Sequence, residues 1–268
     1  MTDFLRYVAI GDSFTEGVGD PDPTGTHEYR GWSDRVAEVL AARSPEFGYA
    51  NLAIRGKKMD QIVAEQLEPC LELAPDLVTV YAGANDLIRP SVDVDAVVAA
   101  YDAMLARLVE SGATVVVWTA ADTHGSGIFG ALRGRFAIYN ELVREIAADR
   151  GLLLLDYWRM KEYRDLRMWE FDRIHMSQPG HLRMAIEVLD VLGVPHALAV
   201  PDLGPEPVIT PAEDREIKRK WRREFAYPWI SRRVRGISTG DGLPPKYPTL
   251  LRPVGVDAGE PEAAGEPS

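Results

Sequence analysis

Short apolar runs alternate with longer amphipathic stretches over the first two hundred residues of the chain. The apolar runs have the length of strands and lie at 5–10, 49–54, 77–81, 114–119 and 152–155. The stretches with helical spacing lie at 32–42, 59–67, 94–110, 131–150 and 179–192. Strands that are apolar throughout are typical of a parallel sheet covered by helices on both faces. The pattern therefore predicts a three-layer α/β/α fold with about five strands.

The pattern changes after residue 200, where proline and acidic residues become frequent. Residues 213–225 have the spacing of a short basic helix with one apolar stripe, and Pro228 is expected to end it. Beyond residue 236, repeated glycine and proline predict little regular structure, and 255–268 is expected to be disordered. The sequence thus predicts one core domain over 1–200, and a linker, a short helix and a tail over 201–268.

Charge narrows the choice of partners. The chain of 268 residues has a formal net charge of −11, which disfavours nucleic acid as a partner. Residues 211–236 are the exception, with nine Lys or Arg against four Asp or Glu. The aromatic residues of this basic segment either pack on the acidic body or touch an anionic membrane surface. The sequence favours packing on the body.

The compartment is inferred from three features of the sequence. The first residues lack the charged start, long apolar region and cleavage site of a secretory signal. No apolar run approaches the roughly 20 residues that span a bilayer. Cys70 is the only cysteine and has no internal partner for a disulfide. We therefore expect a cytoplasmic protein.

Polar residues and glycines collect where the predicted strands end. The first strand runs into Ser13, the second is followed by Gly56, and the third is followed by Asn85. Asp172 and His175 lie between the fifth strand and the last helix of the core. The carboxyl ends of parallel strands meet at one edge of a doubly wound sheet, which is where such folds bind ligands. We expect these five residues to lie together there.

Three of the five residues have the chemistry of an activated serine. A serine hydroxyl is a weak nucleophile until a base takes its proton, and a third group must orient that base. Asp172 lies three residues before His175, so in a turn its carboxylate reaches Nδ1 and leaves Nε2 for Ser13. The backbone N–H groups of Ser13 and Gly56 and the side-chain amide of Asn85 are candidate donors to a developing oxyanion.

Four short blocks carry a resemblance to a known family. They are IGDSFTEG around Ser13, NLAIRG ending at Gly56, GAND containing Asn85, and the Asp-x-x-His spacing of Asp172 and His175. In order and spacing these blocks resemble the SGNH hydrolases, also called GDSL-type esterases and lipases. A phenylalanine replaces the leucine of the name-giving motif. One block alone is a weak signal, whereas four in register over about residues 5–195 are specific.

The resemblance implies an SGNH-type hydrolase domain with a flavodoxin-like parallel sheet. It implies a serine hydrolase, an esterase or lipase, acting on a small-molecule acyl ester without a metal or cofactor. Ser13 is then the nucleophile, His175 the base and Asp172 the acid of the triad. Ser13, Gly56 and Asn85 form the oxyanion hole. The family says nothing about the basic segment, which lies outside the matched blocks.

Two other functions stay open at this stage. An acyltransferase uses the same triad and passes the acyl group to an alcohol instead of water. A non-catalytic ligand-binding module on the same scaffold is disfavoured by the intact Ser13, Asp172 and His175. The residues themselves do not separate hydrolysis from transfer.

Other polar residues near the predicted site receive structural interpretations. Asp12 and Asp86 are expected to brace their loops, and His181 to bond backbone in the first turn of the last helix. Arg55 either contacts an anionic substrate or is solvated. One His and one Asp do not make a metal site, so the glycine-rich run around His124 is interpreted as a specificity loop over the pocket.

Overall fold

A computed structural model describes residues 4–122, 128–235 and 237–253. The glycine-rich loop around His124 and the tail 255–268 lie outside these residues, so their predicted properties stay predictions. Within the described ranges, none of the helices combines the length and apolar character needed to cross a membrane.

The described residues form one six-stranded sheet with the strand order β5-β4-β3-β1-β2-β6. The strands are β1 (Arg6–Gly11), β2 (Gly48–Asn51), β3 (Leu77–Tyr81), β4 (Thr114–Trp118), β5 (Leu153–Leu155) and β6 (Tyr247–Leu251). Strands β1 to β5 are parallel, and β6 runs antiparallel to β2 at one edge. Strand β2 lies on one side of β1, whereas β3, β4 and β5 follow one another on the other side, so the strand order reverses between β1 and β3. The crevice beyond the ends of these two strands is therefore the expected ligand site.

Helices cover both faces of the sheet, as predicted. They are α1 (Ser13–Glu16), α2 (Gly31–Ala41), α3 (Met59–Glu72), α4 (Ala84–Leu87), α5 (Val94–Glu110), α6 (Ile128–Arg150), α7 (Gln178–Val191), α8 (Pro211–Trp221) and α9 (Tyr227–Val234). Helices α3, α5 and α6 pack with Val8 and Ile10 of β1, and α2 and α7 pack with Tyr7 and Ala9. This alternation along β1 divides the core into two layers of side chains. The α/β/α flavodoxin-like fold is confirmed.

Strand β6 corrects the prediction of little regular structure after residue 236. Tyr247 of this strand packs against the rings of Tyr49 and His27, with centroids 5.6 Å and 4.6 Å away. Pro248 lacks a backbone N–H, but an edge strand tolerates this because one side of it forms no ladder. The expectation was wrong because an edge strand of half-exposed residues lacks the apolar run that marks the buried strands.

The helical segment beyond residue 210 also differs from the prediction. Thr210 caps α8 through a reciprocal pair of hydrogen bonds with Glu213, so the helix begins earlier than expected. A π-helical turn, Arg222–Ala226, follows α8 and leads into α9, which contains Pro228. Proline lacks an N–H and crowds the carbonyl four residues earlier, and the wider π turn precedes it here. The expectation that Pro228 ends the helix was wrong.

Lys246 fixes the C-terminal segment to the core. Its Nζ donates to the backbone oxygens of Glu16, Tyr29 and Arg30 at 2.8–3.2 Å. It also pairs with Asp34 Oδ2 at 2.9 Å, and the two side chains are only 5% and 9% exposed. A buried ion pair is tolerated when further hydrogen bonds satisfy both charges. The C-terminal segment is therefore joined to the structure beside α1.

Candidate active site

The end of β1 holds Ser13 at the edge of the sheet. Gly11 has a φ of +145°, and a Cβ there would overlap the carbonyl oxygen of Tyr81 on β3. The buried amide of Gln66 bonds both the N–H and the C=O of Gly11, at 2.7 and 2.9 Å. Asp12 then caps α1, and Ser13 is the first residue of that helix. Ser13 therefore lies at the crevice between β1 and β3.

Asp172 and His175 are joined through a tight turn. Asp172 Oδ1 accepts the backbone N–H groups of Ile174 and His175 at 2.8 and 3.0 Å. Its Oδ2 lies 2.6 Å from His175 Nδ1. Arg173 has a φ of +61°, a conformation that costs a non-glycine residue about 1–3 kcal/mol. The turn thus aims the carboxylate at Nδ1 and leaves Nε2 as the acceptor.

The charge of Asp172 is stabilised by this turn. Burial alone would raise the pKa of its carboxyl group, but the hydrogen bond and charge of His175 and the two backbone N–H groups lower that pKa below its ordinary value. Asp172 is therefore an ionised acceptor at neutral pH. An ionised partner keeps the proton of the imidazole on Nδ1.

Ser13 and His175 line the same cavity, which has a volume of about 850 Å³ and opens to solvent. No hydrogen bond joins their side chains in the described structure. Hydrogen bonds between a nucleophile and its base are often long without substrate and tighten when substrate binds. Among the described residues, no group of three or more His, Cys, Asp or Glu is arranged to hold a metal ion.

Asn85 lies on the wall of this cavity, whereas Gly56 is not among the residues that line it. The Nδ2 of Asn85 donates to Asp12 Oδ2 at 2.9 Å and to the carbonyl oxygen of Lys57 at 3.1 Å. Gly56 has a φ of +77°, and a Cβ there would overlap Ser238 Oγ. The structure therefore brings Ser13, Asn85 and His175 to one cavity, with Gly56 in the adjoining loop.

Asp12 and Asp86 brace the loops of the site, as the sequence predicts. Asp12 accepts the N–H of Phe14 at 3.1 Å in addition to the amide of Asn85. Burial raises the pKa of Asp12 to about 7, against the effect of these two hydrogen bonds and of the His175 charge. Asp86 accepts the N–H of Met59 at 2.9 Å and so ties the third loop to the start of α3.

Arg55 has neither of its predicted environments. Its guanidinium pairs with Glu16 at 2.5 Å and Glu28 at 2.9 Å, and it lies over the ring of Tyr29 with its Cζ 4.9 Å from the centroid. The side chain of Arg55 is 14% exposed. It is therefore neither solvated nor available to a substrate, and it holds the loop before Gly56 against α1.

His181 is a buried structural residue, as predicted. The ring is fully buried, Nε2 lies 3.1 Å from the carbonyl oxygen of Val18, and Nδ1 accepts the N–H of Trp32 at 3.2 Å. This pattern requires the neutral tautomer with the proton on Nε2. Desolvation by burial lowers the pKa of His181 to about 3 from an ordinary value of 6.5.

The stability of the protein should reflect this histidine at acid pH. Between pH 6.5 and pH 3 the unfolded chain binds a proton at His181 that the folded protein does not, so this residue lowers the free energy of unfolding as pH falls. In His181→Asn this penalty is absent. We expect the free energy of unfolding of the native protein, measured relative to that of the variant, to fall by about 2 kcal/mol between pH 7 and pH 5. Urea unfolding of both proteins at each pH measures this change. A constant difference would contradict a neutral buried His181.

The C-terminal helices supply part of the site that the sequence did not reveal. Trp221 Nε1 donates to the backbone oxygen of Asp172 at 2.9 Å. The ring of Phe225 packs edge-on against Phe171, with centroids 5.5 Å apart. The aromatic residues of the basic segment, Trp221, Phe225, Tyr227 and Trp229, were predicted to pack on the body. The contacts of Trp221 and Phe225 agree, whereas Tyr227 is 64% exposed. The position of Trp221 against Asp172 carried no sequence signal, because the partner residues are about fifty positions away.

A model of the GDSL-like lipase/acylhydrolase family matches residues 9–183. A similar solved structure is LAE5, an alpha/beta hydrolase from the metagenome of Lake Arreo, Spain, with 23% identity, a TM-score of 0.60, and coverage of 72% of this chain and 97% of that chain. Another is Axe2, an acetylxylan esterase from Geobacillus stearothermophilus, with 22% identity, a TM-score of 0.58, and coverage of 71% and 95%. These structures show the shared fold. No curated protein matches the chain significantly.

Proposed function

The chain belongs to the GDSL-like lipase/acylhydrolase family and is a carboxylic ester hydrolase, and we propose that Ser13 is the residue that attacks the ester. His175 is its base, and Asp172 orients that base. The observation that carries this assignment is the 2.6 Å contact between Asp172 Oδ2 and His175 Nδ1 in the cavity that Ser13 lines.

The reaction proceeds in two steps. Ser13 Oγ attacks the carbonyl carbon while His175 Nε2 takes its proton, and His175 then gives this proton to the leaving alcohol. The acyl group is now on Ser13. A water molecule gives a proton to His175 and attacks the acyl carbon. His175 then returns this proton to Ser13 Oγ as the bond between Oγ and the acyl carbon breaks, which releases the acid and restores the serine. Asp172 stays ionised throughout and stabilises the imidazolium.

Three donors are proposed for the oxyanion. The N–H of Ser13 lies at the first position of α1, where helix geometry offers it no partner within the helix. The N–H of Gly56 lies in the next loop, and the amide of Asn85 lies on the cavity wall. Both hydrogens of that amide have acceptors, so Asn85 shares one of them with the oxyanion. Asp12 and Lys57 thereby hold the amide in place before substrate binds.

Replacing Asn85 by alanine tests this part of the proposal. Removing one oxyanion donor lowers kcat about 100-fold because the lost hydrogen bond is strongest in the transition state. KM should change little, and stopped-flow measurements with 4-nitrophenyl acetate separate the two constants. Urea unfolding of the same variant controls for damage to the loop. A kcat within threefold of the native value would exclude Asn85 from the oxyanion hole.

The family match favours hydrolysis over acyl transfer as the reaction. Cytoplasmic location stays a prediction, and its support is the single cysteine, Cys70, which is buried and unpaired. Contact of the basic segment with an anionic membrane is the alternative that the sequence disfavours. Against it, Trp221 and Phe225 face the body of the protein.

A further inference from the structure

Four cationic side chains line the cavity that contains Ser13 and His175. They are Arg164, Arg173, Lys218 and Arg222. This concentration of positive charge contrasts with the net charge of −11 of the whole chain. A cleft lined by one sign of charge raises the local concentration of substrates with the opposite sign.

Only Lys218 among these four cations forms an ion pair with an acidic side chain within the described residues. Arg164 and Arg222 have no acidic partner in the part of the chain that the structure describes. Arg173 lies over the ring of Trp221, with its Cζ 5.9 Å from the centroid. Lys218 pairs with Asp214 at 2.7 Å, but both side chains are about half exposed, so this pair is weak.

The carboxylates of the cavity wall do not cancel this charge. Asp122 forms a two-point ion pair with Arg133, with distances of 2.6 and 2.9 Å. Asp12 is buried beside Ser13, and burial raises its pKa to about 7. The four cations of the cavity wall therefore outnumber its two carboxylates, one of which is already paired with Arg133.

Aromatic rings form the part of the cavity next to the nucleophile. Phe14, beside Ser13, packs on Tyr81 and Tyr157 with centroid distances of 4.2 and 5.8 Å. All three rings line the cavity, together with Trp169. Such a surface accepts the apolar part of a ligand, and the few charged groups around it fix orientation.

We propose that the substrate of this hydrolase is a carboxylic ester that carries an anionic group, which Arg164, Arg173, Lys218 and Arg222 bind. This inference rests on the proposed role of Ser13 and His175. The apolar part of the ester packs on the rings around Ser13, and the anion lies against the cations. Lys218 and Arg222 come from the segment beyond residue 183, where the family match ends, so this recognition belongs to the chain itself.

Two pairs of esters test the charge preference and show which side of the ester carries the anion. The acyl-side pair is 4-nitrophenyl hydrogen adipate and 4-nitrophenyl hexanoate. The alcohol-side pair is 3-carboxyphenyl acetate and phenyl acetate. We expect kcat/KM to be about tenfold higher for the anionic member of one pair at low salt. The preference should fall as salt is raised, because ions screen exposed charges.

Substitutions of the cavity cations test whether these residues cause the preference for anionic esters. Arg164→Gln and Arg222→Gln are each expected to lower the anionic-to-neutral ratio of kcat/KM about fivefold, since each removes one unit charge near the ligand. Arg223→Gln is the matched control, because Arg223 lies on the same segment, pairs with Glu224 and does not line the cavity. Its ratio should equal that of the native protein.

The outcomes separate this inference from the function on which it rests. If the protein cleaves both members of each pair equally well, the proposal of an anionic substrate is wrong. The proposal is also wrong if both glutamine variants retain the full charge preference. Either result leaves the assignment as a hydrolase unchanged. Failure of the native protein to cleave any of the four esters counts against the hydrolase assignment itself, and the inference falls with it.

Discussion

Ser13→Ala is expected to lower kcat for 4-nitrophenyl acetate by about 10 000-fold or more, with KM nearly unchanged. Without the hydroxyl no acyl-enzyme forms, and only the oxyanion donors and the binding of substrate remain to assist attack by water. Steady-state release of 4-nitrophenol measures the loss. A burst of product in the first turnover should also disappear if acyl-enzyme hydrolysis is slow in the native protein.

Two further variants make this prediction specific. His175→Ala should cost about as much as Ser13→Ala, and the double variant should be no slower than either, because the two residues act as a unit. Ser111→Ala is the control, since Ser111 bonds the carbonyl oxygen of Leu108 at the end of α5 and does not line the cavity. More than about 1% of native activity in Ser13→Ala would contradict the proposed mechanism.

Lys246→Met is expected to lower the free energy of unfolding by about 3–5 kcal/mol, because it leaves the buried carboxylate of Asp34 without its partner. Three backbone oxygens also lose a donor. Burial already raises the pKa of Asp34 to about 6 although Lys246 lowers it. Urea unfolding at pH 7 measures the loss, and Lys161→Met, at an exposed lysine, is the matched control.

A double variant that combines Lys246→Met with Asp34→Asn tests the cause. If the unpaired charge is responsible, adding Asp34→Asn to the Lys246→Met background should recover part of the lost stability, and the coupling between the two sites should exceed about 1 kcal/mol. A loss below about 1 kcal/mol in Lys246→Met alone would mean that the C-terminal segment is not fixed to the core by this residue.

The core of the fold was predictable because its elements are buried. Strand β3 is apolar at four of five positions and α5 has a regular apolar stripe, and both have the predicted bounds. Burial on both faces of a strand, or on one face of a helix, leaves a pattern in the sequence that can be recognised without knowledge of partners.

The elements that the sequence did not predict depend on distant contacts. Helices α1 and α4 are four residues long, and helices of this length do not form without tertiary support. Strand β6 is half exposed and contains Pro248, so nothing in its own residues distinguishes it from a loop. Its position follows from pairing with β2, and the helices before it dock through Trp221 and Phe225.

Some contacts of the candidate site were also predictable from the sequence, and others were not. The contact between Asp172 and His175 follows from a spacing of three residues, so the sequence predicts it directly. The two acceptors of the Asn85 amide, Asp12 and the carbonyl of Lys57, come from two other loops and have no sequence signal. The cations of the cavity come from two separate segments, and only the docking of α8 brings them together.

Labelling with a fluorophosphonate tests the central claim, which is that Ser13 is a nucleophile activated by His175. Intact-mass measurement should show a single adduct on the native protein, and peptide mapping should place it on Ser13. Ser13→Ala should not react, and His175→Ala should react far more slowly. Equal labelling of Ser13→Ala, or an adduct on a different serine, would contradict the account.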